Sequence, residues 1–189
     1  MVYALTKEAA ASLTRQMTEN VPTAGQIQDG SMSAGGSAGK AFTKEYLAIV
    51  EGVPEPASGR MEDLLFHDRG KNRTYVVKRP RKGVKEAVLE YETIKSVHPA
   101  HEESAPAEES AQTQDCDSLT LVRIRLLTGR THQIRAQFSS RKLPLCGDRR
   151  YGAKTSGDIA LWSHRLTFRH PETGEELSFE MALPADFQK

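Results

Sequence analysis

The chain has little that could staple or anchor it. It holds two cysteines in 189 residues. Cys116 lies in a polar run and Cys146 just before Gly147-Asp148. That pair offers no disulfide framework, and no His or Cys spacing suits a metal, so a reducing cytoplasm is the expected setting. No run of 18 apolar residues occurs, so no membrane-spanning helix is expected. The first residues lack the basic start and apolar centre of a secretory signal. Aromatic residues are scarce at 6%, and hydrophobic residues make up 38%. A core built from so little is modest, or part of the chain lies outside it.

Acidic residues are missing where basic ones gather. Residues 119–154 hold nine Lys and Arg and a single acidic residue, Asp148. The formal net charge of +1 hides this. Six acidic residues and no Lys or Arg fall within 99–118, and the rest of the chain has 26 basic against 19 acidic residues. A basic body behind an acidic insertion points to nucleic acid or another polyanion as partner.

At this length one domain is expected over 1–189, with flexible insertions at about 21–41 (rich in Gly, Ser and Ala) and 99–118 (acidic, no aromatic residue). Residues 1–5 read as a strand. Thr6 can cap a helix from Lys7 to about Glu19, with Ala10, Leu13 and Met17 on its apolar face. Alternation predicts strands at 42–51, 74–78, 86–97, 119–127 and 159–169, the last forming a hairpin with 176–181 around His170-Pro171-Glu172-Thr173-Gly174. Residues 60–69 fit either regular structure. Residues 79–85 make a basic loop, and Trp162 reads as core. Seven strands with two or three helices imply an α+β fold, with a mixed, largely antiparallel sheet and a few flanking helices.

In the strand 119–127, Thr120, Val122, Ile124 and Leu126 form the expected core face by alternation, and Arg123 and Arg125 project from the other. Thr128-Gly129-Arg130 is a tight turn. A helix over 131–140 would take Thr131 as its N-cap and turn Ile134 and Phe138 inward. Arg135 then sits at the edge of that apolar face, where a guanidinium can pair with a buried carboxylate or a phosphate. These residues alone leave two readings open: a solvated basic helix, or an anion site at a helix end.

The motifs narrow the choice. LLTGRTHQIR (126–135), LPLCGDRRYG (143–152) and HRLTFRHPETGE (164–175) resemble the C-terminal motifs of the RluA-type RNA pseudouridine synthases. FTKEYLAIVEG (42–52) resembles that family's Lys-x-Tyr-x-Ala-x-Val-x-Gly strand, and VYALTKEAAASLTRQM (2–17) resembles the strand and helix after its catalytic motif. The resemblance implies the pseudouridine synthase catalytic-domain fold. It implies an isomerase that converts uridine to pseudouridine in structured RNA, ribosomal or transfer, without cofactor or metal. A cytoplasmic monomer is expected. Tyr46 matches the tyrosine that stacks on the target base and assists proton removal from carbon 5. Arg135 matches the arginine that pairs with the catalytic aspartate. An aromatic ring is needed to receive a base that leaves its stack. Arg130, Arg149, Arg150 and Lys154 are candidates for phosphate contact, with His132 and Gln133 beside them as RNA-binding candidates in supporting roles.

One element of the family pattern has no match. The catalytic aspartate belongs to a His-Arg-Leu-Asp motif that would precede Val2, and no such sequence occurs in the chain. His164-Arg165-Leu166 is followed by Thr167. Asp148 reads as structural. The chain by itself is therefore expected to be inactive. The competing expectations are a non-catalytic RNA-binding protein of the same fold, or a decayed fragment.

Overall fold

The computed structural model describes residues 4–19, 42–97 and 118–182. Both expected insertions, and the start of the expected strand at 1–5, lie outside these residues; Ala4 and Leu5 are not in a strand. Seven strands form one sheet in the order β3-β2-β4-β5-β1-β6-β7, and every neighbouring pair is antiparallel. In chain order these are β1 (Phe42–Glu51), β2 (Ser58–Asp68), β3 (Arg73–Val77), β4 (Val84–Val97), β5 (Leu119–Leu126), β6 (Leu161–Arg169) and β7 (Glu176–Glu180). The helices are α1 (Lys7–Glu19) and α2 (Gln133–Ser140), with a 3-10 turn at Arg149–Tyr151. The expected α+β class and antiparallel sheet are present. No described helix is long and apolar enough to cross a membrane.

Alternation in β1, β4 and β5 explains the centre of the sheet. Ala48 and Val50, Leu89 and Tyr91, and Val122 and Ile124 point to one face and are buried. α2 covers that face with Ile134 and Phe138, and Phe138 meets the Tyr91 ring edge-on at 5.7 Å. Removing the Phe138 ring would cost about 3–5 kcal/mol. The segment after α2 then returns beside β1. Cys146 N donates to Ile49 O at 2.9 Å, and Glu51 N donates to Pro144 O at 2.9 Å. This return carries Gly147 to Tyr151 back under α2.

Three expectations change. Residues 60–69 lie in β2, where Met61 and Leu65 supply the buried positions. Thr6 does cap α1, its hydroxyl accepting from Ala9 N at 3.1 Å. The inward face of α1 is nevertheless not the one expected, for Met17 is exposed and Gln16 is buried. Gln16 grips the backbone of Arg169 in β6 through both amide atoms, each at 2.9 Å. Trp162 is only partly buried, because β6 is the last but one strand of the sheet.

Candidate active site

A cleft of about 410 Å³ opens where β1, β5 and α2 meet. Tyr46, Leu126, Arg130, His132, Gln133, Ile134, Arg135, Ile159 and Leu161 line it. Tyr46 and Arg135 thus come from elements almost ninety positions apart and face one space. Tyr46 points to the α2 side because it shares the alternation of Ala48 and Val50. Its pairing with β6 slips at a bulge between Glu45 and Tyr46. Burial pushes the Tyr46 phenol up from its ordinary value. It is therefore neutral at physiological pH, which suits stacking more directly than proton removal.

The turn into α2 is built by Gln133, not by a threonine cap. The N-cap position is His132, not Thr131, and it adopts a left-handed conformation with φ 51° and no side-chain capping bond. Gln133 is 2% exposed. Its Oε1 accepts from Arg130 N at 3.0 Å and from the Thr128 hydroxyl at 2.8 Å, and its Nε2 donates to Val88 O at 3.1 Å. The amide is consumed in holding the 128–133 turn against β4. That use leaves it little to offer an RNA.

The left-handed turn directs His132 toward Tyr151. Its Nδ1 lies 3.1 Å from the Tyr151 hydroxyl, which also accepts from Thr74 N at 2.8 Å. Burial, then the charges of Arg135, His67 and Arg150, hold the imidazole below its ordinary range, with Asp148 opposing weakly. His67 meets the His132 ring edge-on at 6.0 Å. The Thr74 hydroxyl donates to Thr131 O at 2.8 Å, so the His67 Nδ1 that contacts that hydroxyl at 3.0 Å must be a donor.

Arg135 meets a carboxylate inside this chain. Its Nε donates to Asp148 Oδ2 at 2.6 Å and its Nη2 to Oδ1 at 2.8 Å. The Arg135 side chain is 16% exposed and that of Asp148 1%. The hydrogen bonds to Asp148 raise the guanidinium pKa further, against the opposing effect of burial. Its carbon lies 4.7 Å from the centroid of the Tyr151 ring, over which the Arg73 guanidinium also sits at 5.3 Å. Sequence reasoning passed over Tyr151. Its place three residues after Asp148 in a Gly-Asp-Arg-Arg-Tyr turn was the available signal.

The other basic candidates are outside the cleft lining, Arg130 excepted. Arg130 Nε donates to Glu86 O at 2.9 Å. Arg149 and Arg150 are exposed on the 3-10 turn, and Arg150 reaches the Lys71 and Asn72 carbonyls at 3.3 and 3.0 Å. Lys154 has an exposed side chain, and its backbone N donates to the Glu51 carboxylate at 2.9 Å. On the opposite face of β5, Arg123 pairs with Glu92 at 2.6 Å.

The family model described as RNA pseudouridylate synthase matches residues 1–140. The chain belongs to that family. An RNA pseudouridine synthase from Mycobacterium bovis is 30% identical over 152 residues, covering 77% of this chain and 42% of its own length. The dual-specificity RNA pseudouridine synthase RluA of Escherichia coli O157:H7 is 31% identical over 191 residues, covering 99% of this chain and 68% of its own. The chain thus spans well under half of the first of these relatives. The human RNA pseudouridylate synthase domain containing 1 shares the fold, with a TM-score of 0.62 at 20% identity. That alignment covers 96% of this chain and 62% of the human one.

Proposed function

We propose that the cleft receives a uridine turned out of a structured RNA, ribosomal or transfer, and that the chain forms one side of a site converting it to pseudouridine. The observation that carries this reading is the meeting of Tyr46 and Arg135 in one cleft. In the reaction the N1–C1′ bond breaks, the base turns, and a C5–C1′ bond forms. The hydrogen leaves carbon 5 and N1 gains a proton, so no oxidant or reductant is consumed. Tyr46 would stack on the extruded base, offsetting part of the cost of leaving the RNA stack. Arg135 would offer positive charge to an anionic group at the reacting sugar. Arg130 lies at the mouth, and phosphates would follow the basic surface beyond it. Residues 69–85 supply eight Lys and Arg with no acidic residue, and Arg150 binds the backbone of this run at Lys71 and Asn72. The setting we propose is the cytoplasm, with the chain as a monomer.

A second reading has its own support. None of the described cleft-lining residues is a carboxylate, and both Asp148 oxygens are engaged by Arg135. The chain by itself would then bind RNA without turning it over. Incubation with ribosomal and transfer RNA followed by pseudouridine mapping separates the two: new pseudouridine refutes the inactive reading. Binding measured against salt checks the shared claim. Affinity should fall with a log–log slope of roughly −0.7 to −0.9 for each phosphate contacted. A flat salt dependence, or no binding, refutes both.

A further inference from the structure

We propose that Arg73, on the edge strand β3, seats a phosphate of the RNA strand beside the extruded uridine, outside the cleft, with two tyrosine rings holding its guanidinium in place. The identity of the ligand as RNA rests on the functional reading above. The Arg73 guanidinium carbon lies 5.4 Å from the centroid of the Tyr75 ring and 5.3 Å from that of Tyr151. Arg135, in the cleft lining, meets the same Tyr151 ring at 4.7 Å. Arg73 therefore stands one aromatic ring away from the cleft. Stacking uses the face of a guanidinium and leaves the N–H groups in its plane for an oxyanion. The Arg73 Nε–H is buried with no acceptor. A buried donor left unpaired is costly, and an oxyanion drawn to the guanidinium relieves that cost. Ring contacts, rather than a hydrogen bond at Nε, hold the side chain. It can therefore turn its Nε edge outward and take a phosphate side-on.

The backbone of this seat is fixed relative to the cleft. Thr74, the next residue, is buried and ties β3 to the start of α2 and to the 3-10 turn. Its N donates to the Tyr151 hydroxyl at 2.8 Å, and its own hydroxyl donates to Thr131 O at 2.8 Å. Arg150 holds the turn before β3 by donating to Lys71 O and Asn72 O at 3.3 and 3.0 Å. The surroundings are basic: residues 69–85 contain no acidic residue, and the other Lys and Arg of this run are exposed. A second guanidinium is presented in the same way next door. Phe66 of β2 pairs with Tyr75, and Arg81 lies over the Phe66 ring at 4.5 Å. A strand with a phosphate on every nucleotide suits such a series of cations better than a ligand with a single carboxylate does.

The test measures binding of the full chain to uridine-containing stem–loop RNAs across a range of salt. Arg73→Gln should weaken binding about tenfold at low salt, alike for stem–loops of different sequence, and lower the log–log salt slope by roughly 0.7–0.9, one phosphate contact. Arg73→Lys should keep the slope, because the charge stays, and still lose affinity, because the planar fork is gone. Arg60→Gln, whose guanidinium pairs with Glu62 at 2.6 Å, should change neither. If Arg73 only packs between the rings, Arg73→Gln lowers the melting temperature and leaves the slope as it was; that result overturns the proposal. If Arg73→Gln does not fold, NMR of the unsubstituted chain decides. Inorganic phosphate should shift the Arg73 Nε–H signal saturably, and chloride at equal ionic strength should not; no such shift overturns the proposal. A chain that binds RNA with no effect of Arg73→Gln keeps the functional reading and loses this inference. A chain that seats phosphate at Arg73 but binds no RNA keeps the seat and loses the functional reading.

Discussion

Gln133→Ala is the sharpest probe of how the site is built. The substitution removes three hydrogen bonds from a side chain that is 2% exposed. Val88 O keeps two backbone donors, Leu127 N and Thr128 N, each at 3.1 Å, so it is not orphaned. The Thr128 hydroxyl has a fallback on Val88 O, though at 3.4 Å it is poor. Arg130 N loses the acceptor shown for it, at a cost of about 1–3 kcal/mol. The lost donation to Val88 O adds about 1 kcal/mol, giving a destabilisation of roughly 2–4 kcal/mol. Urea unfolding followed by circular dichroism reads this as a lower midpoint with an unchanged slope. Thr128→Val should cost less, and the double variant should fall short of additivity because the two residues share a bond. A Gln133→Ala loss below about 0.5 kcal/mol, the range of an ordinary surface change, would refute the assignment of this amide to the turn.

Three further outcomes follow from the same geometry. Gly147→Ala should be among the most damaging single changes, because it adds a left-handed penalty of roughly 1–2 kcal/mol to a backbone clash; thermal melting reads it, and a near-native Tm contradicts it. Glu51 should contribute to acid sensitivity. Burial works against its charge, but donors from Lys154 and Thr155 outweigh burial and hold its carboxyl below the ordinary value of 4.5. The unfolded chain then binds more protons, so this stability is complete above about 4.5 and is lost as pH falls through the folded value. Glu51→Gln should flatten that part of a stability-against-pH curve, and an unchanged curve counts against the clamp. Tyr46→Ala should weaken RNA binding by about 1–3 kcal/mol of stacking while leaving its salt slope unaltered. A changed slope with unchanged affinity would place Tyr46 outside the base contact.

Much of the sheet was legible because its strands alternate cleanly. In β1, β4 and β5 one face is packed by α2, so the period of two survives in the sequence. β2 was harder to read: its buried positions, Met61 and Leu65, are interrupted by Asp63, which faces α2 and pairs with Arg141 at 2.8 Å. The α1 face was misread for a similar reason, since the helix docks through the polar Gln16 rather than through Met17. Tyr46 and Arg135 stand out in the sequence by their motifs, and the structure brings both to the lining of one cleft. What no local pattern could reveal is the identity of Arg135's partner. Asp148 reaches it through the return of 144–146 alongside β1 and the turn at Gly147, which are long-range facts. The Thr131 cap failed because Gln133, inside the helix, already satisfies the turn.

The most direct test of the central claim is photocrosslinking of 4-thiouridine-substituted ribosomal and transfer RNA to the full chain, followed by peptide mapping. If the cleft receives uridine, crosslinks fall on Tyr46 and within residues 130–135, and unsubstituted RNA competes them away. Crosslinks confined to the opposite face of the sheet, around Arg123 and Glu92, contradict it.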